Sequence, residues 1–294
     1  DDEESPGAPS AAARRSGVEA ARPRAMRRGV VLRRHQLQNL AHMLARERRP
    51  AWRDVWLPVA ARDEAGARAP LLYSPIYNTF VARTAEAPCD ARGGWLCDEM
   101  GLGKTVSCLA LMAASPRSAP SARGGGGTLV VVPVSLLHQW RREVEEKTRL
   151  RVRLYHGAAR HRGDDFVRRL CEADVVVTSA TIIGTEWGQA MRRGMLAPLA
   201  RVRWHRVVVD ESHMLKAPDT MQGRGMMELE TARRWCVSGT PLGNGTLFAQ
   251  ARFLRMPLGD PRKPALAGNA WTSAMWSACP PLFDGDGEAA AAPA

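Results

Sequence analysis

Apolar residues recur along the chain in two rhythms. Between residues 30 and 48, Leu37, Leu40, Met43 and Leu44 fall at helical spacing and mark one apolar face. From residue 94 onward the rhythm changes to short apolar runs separated by turns and helical stretches. The runs are 94–97, 128–133, 152–156, 174–179, 206–210 and 235–238. Three of them carry an unbroken V-V-V (130–132, 175–177, 207–209) rather than an alternating pattern, which marks strands covered on both faces. Helical stretches follow at about 104–115, 136–147, 165–171, 180–192 and 245–254. Strands alternating with helices predict an α/β fold: a doubly wound, mostly parallel sheet with helices on both faces.

The rest of the chain lacks such periods. Residues 1 to about 28 open on an acidic cluster, pass through Ala, Pro and Ser, and end in a run of arginines. They are expected to be a disordered basic tail. Residues 50–90 place Trp52, Trp56, Tyr73 and Tyr77 among prolines and read as an irregular insertion. Gly124–Gly127 is expected to be a flexible loop before the second strand of the series. From residue 259 to 294 the chain is rich in Pro, Gly and Ala and is expected to be poorly ordered.

Charge narrows the function. The 294 residues carry 42 Lys and Arg against 30 Asp and Glu, a formal net charge of +12, which favours a polyanionic partner. An arginine-biased composition accounts for the same charge without one. The six cysteines form no C-x-x-C pair and so give no zinc signature; several lie in apolar runs, as suits a reducing compartment. No stretch is long and apolar enough for a membrane span.

Three clusters carry chemistry. In G-G-W-L-C-D-E-M-G-L-G-K-T, residues 93–105, a strand enters a turn with Gly101 and Gly103, and Lys104 and Thr105 open a helix. Glycines let backbone N–H groups wrap an anion, and a helix N-terminus favours phosphate. Lys104 is expected at the β- and γ-phosphates of ATP and the Thr105 hydroxyl on Mg²⁺. The generic phosphate loop has glycine where this chain has Asp98. The second cluster, R-V-V-V-D-E-S-H at 206–213, ends a buried strand in two carboxylates. Asp210 is placed to hold Mg²⁺ and Glu211 to orient and deprotonate the attacking water. His213 either couples the nucleotide site to its neighbours or simply packs. In the third, R-R-W-C-V-S-G-T-P at 233–241, hydroxyls on a tight turn are suited to sense nucleotide state.

In this order the blocks resemble the Swi/Snf family of helicase superfamily two. D-E-M-G-L-G-K-T is close to a family signature, and Asp98 is the residue the family has there. L-R-R-H-Q at 32–36 resembles its adenine-recognition motif, with Gln36 as the reader. L-V-V-V-P-V-S-L-L-H-Q-W at 129–140 and D-V-V-V-T-S at 174–179 resemble its DNA-contacting motifs. The resemblance implies that Pro133, Ser135, Thr178 and Ser179 lie at the DNA backbone. It also implies that Ser238, Gly239 and Thr240 serve contact or coupling. R-W-H-R-V-V-V-D-E and the long insertion are most similar to the branch with postreplication-repair translocases; no RING-like cysteine spacing accompanies them.

Over about residues 29–258 the resemblance implies a RecA-like P-loop NTPase lobe. It would be a nuclear, DNA-dependent ATP hydrolase using Mg²⁺ on duplex DNA, with chromatin or repair proteins as partners. The family's second RecA-like lobe, with its catalytic arginines, is not found after residue 259, so the isolated chain is expected to turn over ATP weakly or not at all. The alternative class is a non-catalytic nucleotide-binding regulatory module or truncated paralogue. An RNA helicase would show S-A-T rather than S-G-T-P, and a metabolic P-loop kinase would not need the DNA-contact blocks.

Overall fold

The chain is described from a computed structural model over residues 19–49, 57–62, 68–74, 79–82, 92–117, 125–157, 164–215, 219–241 and 246–255. Its contacts divide it into two units.

The larger unit holds the periodic elements. Helix α1 (Arg34–Arg48) precedes them, and three short antiparallel strands of the other unit intervene: β1 (Leu57–Arg62), β2 (Arg68–Ser74) and β3 (Thr79–Ala82). The large unit then continues through β4 (Arg92–Leu96), α2 (Lys104–Ala114), β5 (Gly125–Val131), α3 (Leu137–Lys147), β6 (Val152–Leu154) and α4 (Asp164–Glu172). It closes with β7 (Val175–Thr178), α5 (Ala180–Arg192), β8 (Arg203–Asp210), α6 (Met221–Met227), β9 (Arg233–Val237) and α7 (Thr246–Phe253). The six strands of this unit form one sheet in the order β4-β9-β8-β5-β7-β6, with every pair parallel.

Parallel strands bury both faces. Val130, Val132, Val175, Val177, Val208, Trp235 and Val237 pack with α1, α2 and α3 in one apolar cluster. The alternate positions Leu129, Val131, Val176, Val207, Val209 and Cys236 are equally buried and point to the opposite face. The α/β fold with helices on both faces therefore stands, and the sheet is wholly parallel. No described helix is long and apolar enough to cross a membrane.

One polar network crosses this interior. Glu47, at the end of α1, is met by two nitrogens of the fully buried Arg206 at 2.5 and 2.6 Å, and by Trp235 Nε1 at 3.0 Å. Arg206 also reaches Thr128 Oγ1 and the Ser115 carbonyl. Burial pushes the Glu47 carboxyl up, but the Arg206 charge and hydrogen bonds outweigh it and hold the pKa below the ordinary value.

Several expectations are corrected. Residues 19–28 are not a disordered tail: Met26 is buried and bridges Thr148, and the Arg27 and Arg149 backbone N–H groups bond the Lys147 and Ala25 carbonyls. One apolar anchor and edge bonds to α3 suffice to hold this segment against its charge; residues 1–18 lie outside the described residues. The insertion is not irregular, since it contains β1, β2 and β3. Gly125–Gly127 are not a loop but the start of β5. A Cβ on Gly126 would stand 2.6 Å from Val202 Cγ1, and one on Gly127 would stand 2.2 Å from the Asp174 carbonyl oxygen. Those glycines are there for close approach. Helix α6 was not predicted; Thr220 caps it, and its Gly225 lies against Ile183 and Trp187 of α5. The expected tail at 259–294 lies outside the described residues.

Candidate nucleotide site and its neighbours

Strands β4, β8 and β9 are adjacent and parallel, so the three chemical clusters that follow them emerge at one end of the sheet. Open parallel sheets bind ligands at that end.

The phosphate loop leaves β4 and ends at Gly103, the N-cap of α2. Gly101 and Gly103 have φ of 84° and 78°, left-handed values that glycine adopts without Cβ strain. A Cβ on Gly103 would stand 2.5 Å from Gln36 Nε2, whereas one on Gly101 would meet nothing within 4 Å. Lys104 Nζ donates to the Asp98 and Glu99 carbonyls at 2.9 and 3.1 Å and so sits over the loop, with Thr105 next to it on the first turn of α2. Asp98 is tied to α1 by Asn39 Nδ2. Gln36 is buried: its Oε1 accepts from the Arg33 backbone N–H at 3.0 Å and its Nε2 donates to the Leu102 carbonyl at 3.2 Å. The structure thus places Gln36 against the phosphate loop, with one amide hydrogen left for a ligand.

Asp210 closes β8 and is 8% exposed. Its Oδ2 accepts from Trp140 Nε1 at 2.8 Å and its Oδ1 from the Glu211 backbone N–H at 3.0 Å. Burial raises the Asp210 pKa; the indole bond, the backbone bond and Lys104 oppose that shift. Each oxygen keeps a lone pair, and carboxylate and hydroxyl oxygens such as those of Asp210 and Thr105 are the hard donors that Mg²⁺ takes. Glu211 has φ of 50°, a left-handed value that turns its carboxylate away from the line of β8. Its Oε2 lies 3.2 Å from His213 Nδ1 but is a buried atom without a hydrogen-bond partner among the described residues.

His213 Nδ1 also lies 3.2 Å from Ser238 Oγ, which in turn accepts from the Thr240 backbone N–H at 3.1 Å. A Cβ on Gly239 would stand 3.4 Å from Lys104 Nζ. The S-G-T-P turn therefore touches both the carboxylate strand and the phosphate loop, and His213 bridges to it rather than only packing.

The residues expected at DNA divide. Pro133 precedes a 3-10 turn, Val134–Leu136, on which Ser135 is exposed. Thr178 and Ser179 are buried; the Thr178 hydroxyl donates to the Tyr155 carbonyl at 3.0 Å and Ser179 Oγ caps α5. Their hydroxyls are thus spent inside the fold instead of being offered to a phosphate, because the last strand position and the helix cap both need an internal partner.

Trp140 and Gln250 were not read from the sequence as site residues. Gln250 Oε1 accepts from Trp95 Nε1 at 2.7 Å and Ser212 Oγ at 3.3 Å, and its Nε2 donates to the Pro241 carbonyl at 3.0 Å. The available signal was a lone uncharged amide among the apolar residues of α7.

The SNF2-related domain family matches residues 35–256, which include every cluster above. The chain belongs to this family. Its relatives include an uncharacterised ATP-dependent helicase of Schizosaccharomyces pombe, 34% identical over 56% of this chain and 17% of that protein. DNA repair protein RAD5B of Arabidopsis thaliana is 31% identical over 60% of this chain and 16% of its own length. DNA repair protein RAD5 of Candida albicans is 29% identical over 76% of this chain and 22% of its own length. The chain thus spans about a fifth of these relatives. A solved structure, the Sulfolobus solfataricus SWI2/SNF2 ATPase core in complex with double-stranded DNA, is 23% identical with a TM-score of 0.45; the match covers 61% of this chain and 33% of that one. The phosphate loop, the paired carboxylates and the S-G-T-P turn all lie inside the matched residues and share one end of the sheet.

Proposed function

We propose that this chain is the ATP-binding lobe of a nuclear DNA-dependent ATPase or translocase of the DNA-repair or chromatin-remodelling type. It hydrolyses ATP to ADP and phosphate when a second RecA-like lobe completes its site. The observation that carries this reading is the convergence of Lys104, Asp210, Glu211 and Ser238–Thr240 at the ends of three adjacent parallel strands.

The left-handed glycines Gly101 and Gly103 cradle the phosphates, Lys104 leaves the loop carbonyls to pair with them, and Gln36 reads the adenine. Thr105 and Asp210 hold Mg²⁺, which neutralises charge on the phosphoryl oxygens when bound. Glu211 orients the attacking water and takes its proton, and His213 with Ser238 reports its position to the S-G-T-P turn. The exposed Ser135 turn, with Pro133, and the net positive charge face a duplex DNA backbone with little sequence preference.

No arginine of this lobe is assigned to the far side of the γ-phosphate. Such a residue contributes roughly 10³- to 10⁵-fold in related phosphoryl-transfer sites. The isolated chain is therefore expected to bind ATP and DNA but to hydrolyse slowly, with little stimulation by DNA. Steady-state ATPase assays with and without duplex DNA, on this chain alone and joined to a second lobe, test this. Robust DNA-stimulated turnover by the chain alone would refute the half-site reading. Lys104→Ala is expected to abolish binding of a fluorescent ATP analogue in a folded chain; unchanged affinity would overturn the phosphate-loop assignment.

A further inference from the structure

Gln250 is fully buried, yet every hydrogen-bonding capacity of its amide is used. Its Oε1 accepts from Trp95 Nε1 of β4 at 2.7 Å and from Ser212 Oγ, in the turn after Asp210 and Glu211, at 3.3 Å. Its Nε2 donates to the Pro241 carbonyl, which ends the S-G-T-P turn, at 3.0 Å and to Thr246 Oγ1 of its own helix at 3.3 Å. Two donors and two acceptors on one planar group meet four partners from four segments. An amide alone does this among side chains of that size: a carboxylate lacks the donors and leucine lacks both.

The partners matter because of where they lie. Trp95 sits two residues before Cys97, at the entry to the phosphate loop. Ser212 is fully buried and directly follows Asp210 and Glu211 in the turn after β8. Pro241 ends the turn in which a Cβ on Gly239 would stand 3.4 Å from Lys104 Nζ and Ser238 Oγ lies 3.2 Å from His213 Nδ1. A displacement of any of the three clusters therefore strains a bond to one group on α7. Buried polar groups that are fully satisfied rigidify their surroundings, and each costs more to leave unpaired than it contributes when made.

We infer that Gln250 is a positioning residue that joins the phosphate loop, the D-E-S-H turn and the S-G-T-P turn into one unit and carries nucleotide binding to α7. This rests on the ATP site proposed above. Helix α7 lies beyond the last strand of the lobe, so the relay would give the chain that continues from it a nucleotide-dependent anchor.

Hydrogen exchange read by mass spectrometry over residues 246–253 tests it, in the whole chain with and without a saturating non-hydrolysable ATP analogue and Mg²⁺. In the parent, nucleotide should slow exchange of α7 by roughly fivefold, the factor that one net hydrogen bond contributes. Gln250→Leu fills the same space without the amide. With each chain compared at saturation, fixed by its own analogue titration, its α7 should lose the response. Trp95→Phe removes a single bond and keeps a ring, and should weaken the response; if Gln250→Leu fails to fold, this variant decides alone. An α7 that responds equally in the variants, or that ignores bound nucleotide in the parent, overturns the relay. Analogue binding is measured in the same samples: a parent that binds none overturns the ATP site and the relay with it, whereas one that binds without moving α7 overturns the relay alone.

Discussion

Trp140→Phe separates metal binding from nucleotide binding. The indole of Trp140 is 2% exposed, Asp210 is 8% exposed, and the bond between them is 2.8 Å. Phenylalanine keeps most of the apolar contact and removes the N–H. Asp210 Oδ2 then loses a charge-assisted hydrogen bond in a site with little water to replace it. Such bonds contribute about 1.5–3 kcal/mol. The loss acts twice in the same direction. Burial already raises the Asp210 pKa and the indole opposes that, so its removal lets the proton compete harder with Mg²⁺. The carboxylate is also free to rotate away from the metal position. If all of that bond energy is lost from metal binding, the Mg²⁺ needed for half-maximal analogue binding rises by roughly 10- to 150-fold. Binding measured in chelator should barely change, because the loop glycines and Lys104 are untouched. The assay is a Mg²⁺ titration at fixed fluorescent ATP analogue, with circular dichroism as the check on folding and Asp210→Asn as the comparison. A folded Trp140→Phe chain with the parent's Mg²⁺ requirement would refute the view that the indole prepares Asp210 for metal.

Other outcomes follow from the same geometry. In a protein that joins this lobe to a second one, Glu211→Gln should retain ATP binding and lose turnover by at least about 100-fold, the usual scale of general-base loss; parent-like turnover would remove Glu211 from the mechanism. Glu47→Gln leaves Arg206 buried without its counter-charge and should cost about 3–5 kcal/mol in urea unfolding at neutral pH. The Glu47 pKa is lowered on folding from an ordinary value of 4.5, so its stabilisation is complete above 4.5 and fades as pH falls through the lower folded value. The gap between parent and variant should therefore narrow in acid, and a gap that stays constant to pH ~3 would show that charge pairing is not its origin. His205 is pushed down to about 4, chiefly by burial with Arg206 and Arg233 adding to it. The unfolded chain then binds the extra proton between its ordinary 6.5 and 4, so stability should fall across that window, and His205→Gln should flatten the fall in thermal-melt profiles.

The local chemistry of this chain determined much of it. The V-V-V runs declare parallel strands because burial on both faces removes the need to alternate, and the observed strands fall on the predicted runs to within a few residues. Gly101 and Gly103 are legible as turn glycines before a helix because a left-handed backbone strains most other residues. The paired carboxylates at 210 and 211 follow from a buried strand ending at the ligand-binding edge. Tertiary structure decided what depends on distant partners. Residues 19–28 look like a solvated arm until Met26 finds the edge of α3, and Gly125–Gly127 look like a linker until Val202 and Asp174 crowd them into a strand. Thr178 and Ser179 look like phosphate donors until Tyr155 and the α5 cap consume their hydroxyls. Trp140 ends one of the quoted motifs without its partner being legible there, and Glu47 and Gln250 lie in none of them. Each acts through a hydrogen bond to a residue 70, 159 and 155 positions away in sequence (Asp210, Arg206 and Trp95), a separation that no local spacing encodes. Backbone conformation and burial pattern are properties of neighbouring residues and can be read in order. The pairing of buried polar groups is a property of the closed fold, since it is set by which strands lie side by side.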